Sequence, residues 1–168
     1  MKIINTHFKH ILLKPHWSQY IINEAIAIFL CFLCFLCNGL EYLEELNVLR
    51  MTLEGSGLFI LLYLVYRILY IRSIKYIITS EQLIVEHGVF SHSTEYLELY
   101  RVIDYQQHKS FAQQLFGLKT ILVLSGDRTS PIIRLSGIRN QMDIIPEIRQ
   151  RVEFNKKRRG IYEITNTL

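Results

Sequence analysis

From Ala25 to Cys37 the chain runs AIAIFLCFLCFLC, thirteen residues with no charged or amide side chain. Taken back to Tyr20, the run is interrupted only by Asn23 and Glu24. A second apolar block, from Leu58 to Ile71, is broken only by Arg67. A bilayer core of about 30 Å needs about 20 helical residues to cross it. The first block meets that length as Tyr20 to Leu40. The second meets it once Ser56, Gly57 and the turns beside them are included. We therefore expect two transmembrane helices, at about 18–40 and 55–72. The competing reading of each is the core helix of a soluble protein. A secretory signal is a third reading of the first block. Its leader is long and no small-x-small cleavage site follows, so this helix is expected to stay uncleaved. Phe29-Leu30 before Cys31 does not fit a lipoprotein signal either.

Charge sets the orientation. Residues 1–19 carry Lys2, Lys9 and Lys14 and no acid. Residues 20–66 carry five glutamates against Arg50, and residues 67–168 carry 15 basic and 10 acidic side chains. Basic flanks mark the cytoplasmic side. Both termini are thus expected in the cytoplasm, with a short acidic connection outside. Trp17 and Tyr20 at one end of the first helix, and Tyr42 at the other, suit the interfacial aromatic belt. The connection EYLEELNVLRMTLEG has no proline and places Leu43, Leu46 and Leu53 near helical spacing, so the helices are free to extend beyond the membrane. Gly55-Ser56-Gly57 is either a turn or a small-residue contact between the helices.

After Arg72 the pattern changes from continuous apolar to alternating. SIKYIIT (73–79) and QLIVEH (82–87) read as strands around Ser80-Glu81, although Ser-Glu is not a favoured two-residue turn. STEYLELYRVIDYQQH (93–108) reads as one long or two short strands. TILVLS (120–125) and PIIRLS (131–136) flank the loop Gly126-Asp127-Arg128-Thr129-Ser130. SFAQQLFG, residues 110–117, reads as a helical turn ended by Gly117. In NQMDIIPEIRQRVEFNKKRR, Asn140 and Asp143 suggest an N-cap and Ile145, Ile148 and Val152 share one apolar face. Pro146 makes that helix kink or start there. The divisions expected are a basic cytoplasmic leader (1–17), a transmembrane hairpin (18–72), an antiparallel β domain closed by a helix (73–155) and a basic polar tail (156–168).

The stretches KYIITSEQLIVEHGVF (75–90), RVIDYQQHKSFAQQLFGLKTILVLSG (101–126) and IIRLSGI (132–138), behind two apolar helices, resemble the bacterial pleckstrin-homology (PH) domain family, of the membrane-flanked YdbS-like type. The family positions are Arg101, Asp104, Phe116 and Gly117. Gln114 departs from the pattern, where a basic residue is expected before Leu115-Phe116-Gly117. The resemblance implies an α+β membrane protein: a two-helix transmembrane hairpin, then a PH-like bent antiparallel sheet of about seven strands capped by a C-terminal helix. It also implies a multi-pass protein of the bacterial cytoplasmic (inner) membrane. It says little about activity, because such folds host lipid, peptide and self-association sites.

No enzyme motif accompanies it. Asp104, His108 and Ser110 hold the side chains of a hydrolase triad but lie too close together to converge, and no G-x-S-x-G elbow is present. His7 and His10, three apart in the leader, lack a cysteine or acid to complete a metal set. All three cysteines fall in CFLCFLC, at Cys31, Cys34 and Cys37. A four-thiolate cluster needs a fourth ligand, and ionised thiolates do not suit hydrocarbon. They read instead as the small-residue packing face of the first helix. No cofactor and no metal are expected.

Two basic groups are candidate membrane-surface contacts. Arg67, Arg72 and Lys75 lie where the second helix leaves the membrane, and Lys156, Lys157, Arg158 and Arg159 follow the last helix. The second group suits anionic lipid or a solvated tail equally. Glu24 can reach Arg67 across an antiparallel hairpin, with snorkelling as the simpler account of either charge. Nucleic acid is not expected as a partner, because no basic–aromatic interleaving is present. The expected function is non-enzymatic: a membrane-anchored module for protein–protein assembly, as a homo-oligomer or with another membrane protein. Recognition of anionic lipid headgroups, or service as an accessory subunit of a transporter or envelope complex, are the alternatives.

Overall fold

The computed structural model describes residues 8–39, 47–128 and 130–161. The expected acidic connection around Tyr42, Leu43 and Leu46 lies outside the described residues, as do His7 and the chain after Ile161.

The two apolar blocks form α1 (Ser18–Asn38) and α2 (Asn47–Ser73), an antiparallel hairpin. Both are long and apolar enough to cross a membrane, and only 11% of each apolar window is buried within the protein. That low burial sets them apart from the core helices of a soluble domain. Phe29, Phe32, Phe59 and Leu62 all point outward and are more than half exposed. The helix α2 begins eight residues before the expected start at 55. Gly55-Ser56-Gly57 is therefore not a turn but a stretch of helix. A Cβ built on Gly57 would lie 3.4 Å from the Cβ of Cys34, so glycine lets the two backbones close up here. The Cys31 thiol points to the Gly57 carbonyl at 3.8 Å, and the Cys34 sulfur lies 3.7 Å from Ser56 Oγ. Cys31 and Cys34 thus sit in the seam between the helices.

The described residues form seven strands, all but the first where the sequence alternates: β1 (Ile11–Leu13), β2 (Lys75–Ile78), β3 (Gln82–His87), β4 (Ser93–Glu98), β5 (Val102–His108), β6 (Leu118–Ser125) and β7 (Ile132–Arg139). They form two antiparallel sheets, β1-β2-β3-β4 and β5-β6-β7, rather than the single bent sheet expected. A 3-10 turn at Leu99–Arg101 divides residues 93–108 and carries the chain from one sheet to the other. The strand β1 corrects the reading of residues 1–17 as a leader: Leu13 pairs with Tyr76 and belongs to the core. Two helices complete the domain, α3 (Phe111–Leu115) and α4 (Ile144–Arg158).

The core gathers Ile78, Leu83, Leu97, Leu99, Ile121 and Leu135, all fully buried, and α4 closes it with Ile144, Ile148 and Val152. Burying one such aliphatic side chain contributes about 1.5–3 kcal/mol. Pro146 falls in the first turn of α4, where amides have no intrahelical acceptor, so the helix starts there without a kink. At the β2–β3 turn the Thr79 hydroxyl accepts from the amides of Glu81 and Gln82, at 3.2 and 2.8 Å. That side chain supplies the turn chemistry that Ser80-Glu81 lacks.

Candidate functional site

The hairpin and the sheets are joined through a polar seam. The amide of His16 donates to the Gly137 carbonyl at 2.9 Å, and His16 Nδ1 accepts from the Ser18 amide at 3.3 Å. Burial and the nearby Arg139 hold the His16 imidazole below its ordinary 6.5. Gly137 has φ +73°, and a Cβ there would meet the Cβ of Gln19 at 3.0 Å. Only glycine suits both conditions.

Gln113 is the bridge. Its side chain closes a capping box with Ser110 at the start of α3 and donates to Gln19 Oε1 at 2.9 Å and to Thr120 Oγ1 at 2.8 Å. Gln19 passes the chain of bonds to Asn23 at 2.8 Å. A side chain this buried needs every polar atom satisfied, and here α1, α3 and β6 supply the partners. In sequence, Ser-x-x-Gln at 110–113 is a capping-box signal, but it does not point to the bonds with Gln19 and Thr120.

Beside this seam lies a cleft of about 340 Å³ between the hairpin, β3, β4 and β7. Glu24 and Arg67 form one wall, paired at 2.5 Å between Oε1 and Nε. The Glu24 side chain is 6% exposed and that of Arg67 is 30% exposed, so the pair opens to the cleft from the arginine side. His87 and Glu95, 3.6 Å apart, and Arg134 form the opposite wall. The β3–β4 ribbon follows α2 towards its apolar part. The Gly88 amide donates to Ser73 Oγ at 3.1 Å, and Phe90, 90% exposed, stacks on Tyr66 with centroids 6.1 Å apart.

The seven basic candidates do not form one surface. Arg67 is paired with Glu24, Lys75 reaches Glu86 at 3.3 Å, and Arg72 is exposed at the end of α2. Arg158 instead pairs with Glu81 at 2.9 Å, on the β2–β3 turn. That turn is the length of β3 away from Gly88 and Ser73, roughly 20 Å at strand rise. Arg159 lies over the Tyr100 ring at 3.9 Å and 4.0 Å from Glu98. The basic run is therefore not a tail beginning at 156. Lys156, Lys157 and Arg158 form the last turn of α4, where positive charge suits the helix dipole, at the end of the domain away from the hairpin. With Arg149, Lys156 and Lys157 border a groove of about 410 Å³ between α4 and β5.

The family positions turn out to be joints. Arg101 Nη1 meets Asp127 at 3.1 Å, and the Arg101 carbonyl accepts from the Gly126 amide at 3.0 Å, tying the start of β5 to the β6–β7 loop. Asp104 follows a bulge in β5, and its Oδ1 accepts from the Tyr105 amide at 2.7 Å. Gly117, at φ +64°, ends α3, and its carbonyl accepts from Asn140 at 2.9 Å; Phe116 is partly exposed beside it. Asp104 and Ser110 are engaged in local backbone bonds, and although His108 and Ser110 border one pocket, Asp104 does not line it. Among the described residues no three His, Cys, Asp or Glu side chains gather as a metal site.

The family model of the Bacterial PH domain matches residues 25–152. No curated protein and no solved structure matches the chain.

Proposed function

The chain belongs to the bacterial PH domain family, and from that premise we propose that it is a non-enzymatic assembly module of the membrane-flanked, YdbS-like type. The hairpin anchors it in the bacterial cytoplasmic membrane with both termini inside, and the two sheets present an interaction surface at the cytoplasmic face. The observation that carries this reading is the state of β5. It has β6 on one side and no strand on the other among the described residues, and Ile103, Asp104, Gln106, Gln107 and His108 are all exposed. An open edge is a ready template for another strand. Several basic side chains, by contrast, are already matched by acids, which argues against a general basic lipid-reading face. Self-association through β5 would be isologous, with Gln106 near its own copy across a two-fold axis.

Photocrosslinking in native membranes tests this. A photoreactive residue at Gln106 is expected to trap a second copy or a membrane partner, and the same probe at Gln141, exposed in the turn between β7 and α4, is not. A strict monomer in mild detergent, with no adduct from Gln106, would overturn the proposal.

A further inference from the structure

A second groove, of about 600 Å³, lies outside the cleft, where the chain enters α1 and leaves α2. Trp17, Tyr20, Ile68 and Ile71 give it an apolar floor, and Lys14 and Arg72 stand at its rim. Both cations are exposed, and neither has an acidic partner among the described residues. That distinguishes them from Arg67, Lys75, Arg101 and Arg158, each of which is matched by a carboxylate.

The position of the groove identifies its occupant. At the other end of the hairpin, Glu54 binds Asn38 at 3.0 Å and Arg50 at 3.4 Å, a polar cluster that marks one boundary of the apolar segment. Arg72 stands eighteen residues further along α2, about 27 Å at helical rise. That is close to one hydrocarbon thickness. Lys14 and Arg72 therefore stand at headgroup depth on the side of the sheets, with Ile68 and Ile71 below them at acyl depth. Trp17 is 65% exposed between the two levels, as suits an interfacial indole. Two unmatched positive charges above an apolar floor complement a negatively charged headgroup above its acyl chains.

We propose that this groove is a binding site for an anionic phospholipid of the cytoplasmic leaflet, its phosphate held between Lys14 and Arg72 and its glycerol backbone against Trp17. The inference rests on the hairpin spanning the membrane, and it adds a ligand that the assembly reading does not require.

Trp17 is the only tryptophan of the chain, so its fluorescence reports on this end of the hairpin. The full chain is reconstituted in phosphatidylcholine vesicles containing brominated phosphatidylglycerol or brominated phosphatidylcholine, and quenching gives their relative affinity at Trp17. Phosphatidylglycerol is expected to be preferred, and the Lys14→Gln/Arg72→Gln double variant to lower that preference by up to about thirtyfold, two charges at the surface value. The Lys156→Gln/Lys157→Gln variant, at the far end of the domain, is expected to keep it. Equal quenching by the two lipids, or an unchanged preference in the Lys14→Gln/Arg72→Gln variant, overturns the site. No quenching by either lipid would overturn the spanning hairpin instead. Glycerol phosphate added to the vesicles is expected to leave quenching unchanged; relief of quenching would mean a soluble phosphate ligand rather than a lipid.

Discussion

Removing either partner of the Glu24–Arg67 pair should not cost the same. Arg67→Met strands a carboxylate whose side chain is only 6% exposed, with its Nε partner at 2.5 Å gone. Breaking a buried pair in this direction costs about 3–5 kcal/mol, because the remaining charge stays desolvated. Glu24→Gln leaves a guanidinium that is already 30% exposed on the cleft side and 5.5 Å from the centre of the Tyr70 ring. Glutamine keeps an acceptor for it, and the long side chain can lean further out. The expected cost is about 1 kcal/mol, the difference between a charge-assisted and a neutral hydrogen bond. In Glu24→Leu/Arg67→Leu neither charge remains, and an apolar pair of similar bulk is expected to be nearly neutral or stabilising.

The assay is reversible unfolding in mixed micelles as the fraction of denaturing detergent rises, followed by far-UV circular dichroism. The ranking expected, from most to least destabilised, is Arg67→Met, then Glu24→Gln, then the double leucine variant. Equal costs for the two single variants would refute the reasoning, since they would mean that the two charges are equally solvated. A double variant as damaging as the sum of its parts would refute it as well, because the pair would then contribute net stability rather than merely neutralise two charges.

Three other perturbations follow from the geometry. Replacing Cys31, Cys34 and Cys37 together by alanine should leave the fold intact and metal-independent, whereas Cys34→Phe should cost about 1–3 kcal/mol by overpacking the seam at Gly57, as read by the same unfolding assay. Gly137→Ala should cost about 1–2 kcal/mol for the left-handed backbone alone, and more for the 3.0 Å approach to Gln19; faster tryptic cleavage after Arg139 would report the loosened joint. Tyr76→Phe removes a hydroxyl that donates to the Ser136 carbonyl at 3.3 Å and accepts from its amide at 3.1 Å, for a loss of about 1–3 kcal/mol in chemical unfolding. Burial pushes the Tyr76 phenol up to about 12 from 10.0. A raised phenol stabilises the fold fully below pH 10 and loses that contribution as the pH climbs towards 12, so unfolding midpoints of the wild type should fall across that window while those of the phenylalanine variant lack this component.

The parts legible in the sequence were those written in periodicity. The apolar blocks gave both long helices, and alternation gave six of the seven strands to within a few residues. Strand β1 was not legible because three residues between lysines carry no period, and its partner β2 lies more than sixty residues on. The division into two sheets was hidden for a similar reason: Leu99–Arg101 continues an apolar alternation while turning the backbone. At the site, the Glu24–Arg67 pair could be inferred from antiparallel pairing alone. Gln113 could not be singled out, because its role depends on Gln19 and Thr120, which only the tertiary structure brings to it. The basic run at 156–159 misled for the opposite reason. Its charge is plain in sequence, but its distance from the hairpin is set by the direction of β3.

That separation bears on what the two ends of the domain do. Gln113, His16 and Gly137 fix the sheets to α1, and Ser73 and Tyr66 fix the β3–β4 ribbon to α2, so the domain is held by both helices rather than hung from one. A module tethered by a single strand of chain could turn any face towards the bilayer. This one cannot, because rotation would break the buried Gln113 bonds and expose the Glu24 wall of the cleft. Hence, in the proposed membrane placement, the Lys14–Arg72 groove stays at the headgroups, while β5 runs from the α4 groove at Val102 to His108, beside Gln19 and Ile22 of α1. Lipid at the first and protein at the second would then occupy the same molecule without competing. If the joint is what keeps them apart, Gly137→Ala should weaken both the phosphatidylglycerol preference at Trp17 and the crosslink from Gln106, although it touches neither surface. A variant that lost only one of the two would show that the domain is not held as a single rigid body.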